Sequence, residues 1–155
     1  MADTDMMCPP DHTGLALDIL DYLHTQGVVR DPDGVQRDPA PGEEKLPACF
    51  FGGWDDEPDH AVTIIGPYNA STETDLSPRL EFTVGVRTDP WDGAQLTRTA
   101  QAIRAALTIR QTTALTAGVS VMYCERIRVD APVRDDNNRW RLATTYQLRP
   151  TTPPN

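Results

Sequence analysis

Three stretches of this chain alternate apolar and polar residues with a period of two, and two others repeat apolar residues at helical spacing. Leu80, Phe82, Val84 and Val86 alternate with Glu81, Thr83, Gly85 and Arg87, the pattern of a half-buried strand. Val119, Val121, Tyr123, Ile127 and Val129 are expected on one face of a second strand, and Trp140, Leu142, Tyr146 and Leu148 on one face of a third. Ala61–Gly66 is a continuous apolar run read as a further strand, and Ala48–Phe51 as a short one. The first helix is expected from Gly14 to Gln26. Thr13 can cap it, Leu15, Ile19, Leu20 and Leu23 fall on one face, and Gly27 stops it. The second is expected from Pro90 to about Thr108, with Asp89 as its cap and Pro90 in the first position, where no N–H is needed. Leu96, Ala100, Ile103 and Leu107 form its buried stripe.

Between these elements, residues 28–47 are rich in Asp, Pro and Gly and read as a long loop, with a second loop over 67–78 and turn chemistry over Ala131–Asn138. The first loop exceeds what compact domains usually tolerate, so it is expected to be mobile or ordered by a partner. Residues 1–12 and 150–155 are expected to be disordered tails on a single domain spanning 13–149. The element order predicts an α+β fold. Its simplest form is a two-layer sandwich, a mostly antiparallel sheet with two helices packed on one face. Alternation then assigns Glu81, Arg87, Arg126, Arg128, Arg141, Gln147 and Arg149 to the opposite face. That face is polar and mostly basic, either solvated or a place where a neighbour docks.

Composition narrows the picture. A length of 155 residues suits one domain, and 14 prolines with 10 glycines leave much of it as loop. No apolar run approaches the roughly 20 residues that span a bilayer. The acidic N-terminus lacks the basic-then-apolar order of a signal peptide, so a soluble protein made in a cytoplasm, without a membrane partner, is expected. Net charge is −9 but unevenly placed. Residues 1–78 hold 16 acids against Arg30, Arg37 and Lys45, net −13, whereas residues 79–155 hold seven acids against 11 arginines, net +4. Such a chain has little reason to bind nucleic acid tightly, but it could line a passage through which DNA slides without sticking. Opposed halves could also attract one another between copies.

The search for chemistry finds no constellation. Cys8, Cys49 and Cys124 are odd in number and far apart, which argues for free thiols over a disulfide framework or zinc knuckle. His12, His24 and His60 lack metal-ligand spacing. Asp31-Pro32-Asp33-Gly34 fails as a calcium loop, because Gly42 stands where the twelfth-position carboxylate belongs. Asp55, Asp56, Glu57 and Asp59 cluster carboxylates, yet acids in a polar loop stay ionised and solvated, so a protein-contact patch is expected over a hydrolase site. There is no GxSxG elbow and no phosphate-binding glycine loop. The expectation is a non-enzyme without catalytic residues, cofactor or metal.

Taken in order, these residues resemble a known family. A leading helix ends in Leu23-His24-Thr25-Gln26-Gly27. The strand Leu80–Arg87 follows, then a helix with Ala100, Ile103 and Leu107, then a closing hairpin with Pro132, the turn Arg134–Arg139 and the strand Trp140–Leu148. Over about Gly14 to Arg149 this combination is similar to the tail terminator proteins of long-tailed bacteriophages, also called tail completion or minor capsid proteins. The segment Asp31–Glu44 is a departure, bulkier than the family suggests. The resemblance implies a small α+β structural protein of the virion, assembled in the host cytoplasm and located at the tail–neck junction. It implies a six-membered (hexameric) ring that caps the tail tube, stops its polymerisation and offers the surface joining the head connector. Partners would be other copies of the chain, the tube protein and the connector, with DNA passing through unbound. No catalytic residue carries over. Interface candidates are Arg87, Arg126, Arg128, Arg141 and Arg149 together with Asp55, Asp56, Glu57 and Asp59. A head-completion or connector neck protein is an alternative reading. So is a ferredoxin-like module binding RNA or a ligand on the open sheet face, although alternation turns Phe82, Tyr123, Trp140 and Tyr146 toward the helices. A small hydrolase is a third.

Overall fold

The computed structural model describes residues 13–32, 39, 41–69, 79–116 and 118–151. Helix α1 (Thr13–Thr25) is followed by β1 (Ala48–Phe51), β2 (Ala61–Asn69) and β3 (Leu80–Pro90). Helix α2 (Gly93–Leu107) then leads into β4 (Thr113–Thr116), β5 (Val119–Val129), β6 (Val133–Arg134) and β7 (Arg139–Pro150). The strands form one sheet in the order β1-β2-β3-β7-β5-β4, with β6 also on β7. Only β1–β2 is parallel; the other pairs are antiparallel. The α+β class and the mostly antiparallel sheet agree with the sequence pattern, but the sheet is not flat. Helix α1 touches β1 and β2 at one end of the strand order and β4 at the other. A single helix reaches both ends only because the sheet curls toward it. Register shifts in β2, β3, β4 and β5 supply the bending, since each bulge adds local twist.

The core is one continuous cluster between this curled sheet and the two helices. Ala16, Ile19, Leu20 and Leu23 enter from α1, and Leu96, Ile103 and Leu107 from α2. They meet Val62 and Ile64 of β2, the whole even-numbered row Leu80 to Val86 of β3, and Tyr146 and Leu148 of β7. Phe82 stacks on Tyr146 with ring centroids 5.6 Å apart, a contact made possible by their cross-strand pairing.

The structure redraws several sequence boundaries. Strand β2 does not stop at Gly66. It bulges and continues, pairing Tyr68 with Glu81 and Asn69 with Leu80. Gly66 turns the chain there at φ 99°, and a Cβ would sit 3.1 Å from the Glu81 carbonyl. Helix α2 begins three residues later than expected because Pro90 still pairs with Arg139 in the sheet. The cap is therefore Asp92, which accepts the Gln95 amide at 2.9 Å. Asp89 instead clasps the Gln95 side chain, accepting from its Nε2 and giving its own amide to its Oε1. Strands β4 and β6 escaped the pattern, being too short to show a period. At the C-terminus, Pro150 pairs with Val121 and Thr151 donates its amide to Ser120, so the chain is ordered past 149. Of the loop 28–47, Val28 to Arg30 are buried and Arg30 bonds back to Pro47 and Leu46. The expected tail 1–12 and residues 33–38 and 70–78 lie outside the described residues.

Because α1 joins the two ends of the sheet, it is the element whose loss uncurls the fold. Leu23, fully buried in the last turn of α1, is expected to cost about 2–5 kcal/mol of unfolding free energy when replaced by Ala. Urea denaturation of Leu23→Ala against wild type measures this. A loss below about 1 kcal/mol would show that α1 is not part of the cooperative core.

Candidate functional site

The second sheet face, away from the helices, is defined by the same pairings. Glu81 pairs with Gln147, Thr83 with Thr145, Gly85 with Ala143 and Arg87 with Arg141, and paired residues share a face. On β5 the alternation breaks. Register shifts at Val121/Tyr123 and Arg126/Arg128 put Tyr123 opposite Arg149 and Glu125 opposite Gln147, on this open face, and put Arg126 opposite Tyr146 on the helix side. The sequence assignment of Tyr123 and Arg126 is thus reversed. A simple period of two cannot anticipate a bulge.

One end of the open face is covered by the loop Gly52–His60. Trp54 lies against Gly85, where a Cβ would meet the Thr63 methyl at 2.9 Å and the indole at 3.3 Å; only glycine leaves room for the ring. The Arg87 guanidinium stacks over Trp54 at 4.8 Å. It is 2 % exposed and donates to the main-chain carbonyls of Asp59 (3.0 Å), Asp55 (2.7 Å) and Pro58 (2.7 Å). Beside it Arg139, also buried, donates to the Asp56 carbonyl at 2.8 Å and pairs with Asp135 (2.9 Å), Asp59 (3.2 Å) and Asp56 (3.3 Å). Two buried guanidiniums therefore hold the acidic loop from beneath. Burial first, then the neighbouring charge of Arg139, lowers the pKa of Arg87. Burial alone would raise the Asp135 carboxyl. Hydrogen bonds from Arg139 and from the Asn137 amide, together with the Arg139 charge, outweigh it and hold the group below the usual carboxylate range.

The sequence-chosen interface residues therefore have different fates. Arg87 is spent within its own chain, and so is part of Asp56 and Asp59. Asp55, Asp56 and Glu57 are exposed, and the Asp55 and Glu57 carboxylates meet no cation among the described residues. Arg128 is exposed and pairs with Asp130 at 3.3 Å. Arg141 is exposed beside a groove of about 410 Å³ lined by Trp54, Ile65, Gly85, Val133 and Ala143. Arg149 lies over Tyr123 at 6.0 Å, its Nε buried without a hydrogen-bond partner among the described residues. Arg126 lines a separate cleft of about 530 Å³ with Arg104, Arg110, Thr108 and Glu125. Sequence reading missed Arg139, Arg104 and Arg110. Their spacing along the chain carries no motif, and their convergence exists only in three dimensions.

A further buried polar pair links this region to α2. His60 and Thr99 are joined at 2.9 Å between Nε2 and Oγ1, both nearly inaccessible. Burial lowers the His60 pKa, with Asp89 and Asp92 acting to raise it and Arg30 and Arg98 to lower it. Among the described residues no group of three His, Cys, Asp or Glu side chains is arranged to hold a metal. Cys49 and Cys124 are buried, and burial pushes the Cys124 pKa to about 12, which leaves it unreactive. No described helix is long and apolar enough to cross a membrane.

No family model matches the sequence, and no curated protein does either. Solved structures match in fold. One is a chain of the virion of a native gene transfer agent (GTA) particle, at TM-score 0.56 and 16% identity, covering 88% of this chain and 96% of its own length. Another solved chain aligns at TM-score 0.55 and 14% identity, over 88% of this chain and 98% of its own. At such identities the likeness is one of fold, and it extends over nearly the whole of each molecule.

Two measurements follow from this geometry. Arg139→Leu removes the common partner of Asp56, Asp59 and Asp135 and is expected to cost about 3 kcal/mol; an unchanged urea midpoint would show that the loop holds itself. His60, with a folded pKa below its unfolded one, binds fewer protons when folded. Its contribution is full above the unfolded value and is lost as pH falls through the folded one. Wild type should therefore lose more stability than His60→Gln between about pH 7.5 and about pH 5.5. Parallel losses would remove His60 from the account.

Proposed function

We propose that this protein is a structural subunit of a phage-like virion. It acts as a ring that caps the tail tube, halts its polymerisation and presents the surface to which the head connector joins. The observation that carries the reading is the likeness of fold to a chain of a gene transfer agent virion, over 88% of this chain and 96% of that one. The ordered resemblance of helix, strand, helix and closing hairpin to tail terminators supports the narrower role. The charge distribution fits as well. Six copies at −9 each make a ring of −54, which repels DNA and so suits a conduit that must not hold it. The function needs no catalysis. Its chemistry is surface complementarity with the tube, the connector and other copies of the chain at the tail–neck junction.

Electron microscopy of a lysate from the source particle with this gene disabled tests the role. Overlong tails without heads are expected. Tails of normal length beside filled heads would move the protein to the head-completion or connector position. Intact particles would remove it from assembly altogether and return attention to ligand binding on the open sheet face.

A further inference from the structure

The cleft at the C-terminal end of α2 is a concentration of unsatisfied positive charge. Arg104 from α2, Arg110 from the segment after it and Arg126 from β5 converge on a space of about 530 Å³. All three are exposed, and none makes an ion pair or side-chain hydrogen bond with a described residue. The one acid in the lining, Glu125, faces Gln147 and accepts its Nε2 at 2.9 Å. Tyr123, also in the lining, carries Arg149 above its ring, and the Arg149 Nε is buried without a hydrogen-bond partner among the described residues. Three guanidiniums against the single Glu125 carboxylate leave an excess of positive charge in the cleft, and an anionic group entering it relieves the repulsion among them.

The complementary surface is at the opposite end of the same sheet. Arg139 and Arg141 mark the start of β7, where the acidic loop is pinned. Arg126 and Tyr123 pair with Tyr146 and Arg149 near its end. Seven residues separate Arg139 from Tyr146, roughly 23 Å of strand. The loop and the cleft of one chain stand at opposite poles and do not meet. The loop is also built to be presented. Arg87 and Arg139 grip its carbonyls from below, while Asp55, Asp56 and Glu57 stay exposed above. A loop already held in place loses little conformational freedom when it docks.

We infer that the Asp55–Glu57 loop of one copy seats in the Arg104, Arg110 and Arg126 cleft of a second copy, joining the chains head to tail. Two different patches meet, so the contact is heterologous and closes into a ring when the rotation per subunit permits. This deepens the ring-forming reading and rests on it for the biological setting, but the contact is a property of the purified chain. The partner is a second copy, because this chain itself carries the matching acid surface.

Charge exchange tests it. In Arg104→Glu/Arg126→Glu the cleft becomes acidic, and in Asp55→Arg/Glu57→Arg the loop becomes basic; none of the four side chains lies in the core. By sedimentation at about 0.05 M salt, where screening is weak, wild type is expected to self-associate. Each double variant is expected to stay monomeric, weakened about a hundredfold or more by facing like charges, with an unchanged circular dichroism spectrum. An equimolar mixture is expected to assemble again, because the two variants alternate with opposite charges at every junction. Wild type that remains monomeric at about 0.1 mM, variants that assemble like wild type, or a mixture that fails to recover would each overturn the inference. Should wild-type rings form unaffected by the reversals while gene disruption still yields overlong tails, the capping role stands and this contact alone is lost.

Discussion

The pairing of β3 with β7 is the constraint on which the rest of the molecule depends. It runs unbroken from Leu80 opposite Leu148 to Arg87 opposite Arg141, at the centre of the strand order. Because paired side chains share a face, this one register decides both surfaces of the sheet together. Toward the helices it stacks Phe82 on Tyr146 and buries the row from Leu80 to Val86. Away from them it lays Gly85 beside Ala143, a small-residue floor on which Trp54 rests. A slip of one residue would turn the apolar row outward and bring Arg87 into the core.

The same register brings Arg87 and Arg139 close together, which is electrostatically costly for two buried cations. The compensation comes from the Asp55–Asp59 loop and from Asp135 in the turn before β7. Main-chain carbonyls of Asp55, Asp56, Pro58 and Asp59 and the carboxylates of Asp56, Asp59 and Asp135 take up their donors. An internal charge problem thereby fixes an external feature, an acidic edge displayed at one pole. At the other pole the arginines of the cleft have no such loop. The acidic edge at 55–57 and the arginines at 104, 110 and 126 are thus held at different ends of β7.

Much of the fold was legible in the chain. Both helices, the strands at Ala48, Ala61, Leu80, Val119 and Trp140, and the α+β class follow from period and punctuation. So do most core positions, because burial of one stripe per element is what the pattern encodes. The boundaries were less legible. Asp89-Pro90 has the composition of a helix start, yet Pro90 is held in the sheet opposite Arg139 and Asp92 takes over the cap; tertiary pairing overrides a local preference. The candidate site was legible by residue type and not by arrangement. The acids at 55–59 and the arginines of the second half were visible, but nothing local distinguishes Arg87, which is buried, from Arg126, which is exposed.

What the sequence determined by itself is the set of amphipathic elements and the sign of charge in each half, since both are sums over near neighbours in the chain. What only the tertiary structure decided is the curl of the sheet around α1, the reversal of Tyr123 and Arg126 at the β5 bulges, and the convergence of Arg104, Arg110 and Arg126. Each depends on contacts between residues distant along the chain. A single inserted residue in a ladder changes the face of every side chain beyond it, and no local period records that event.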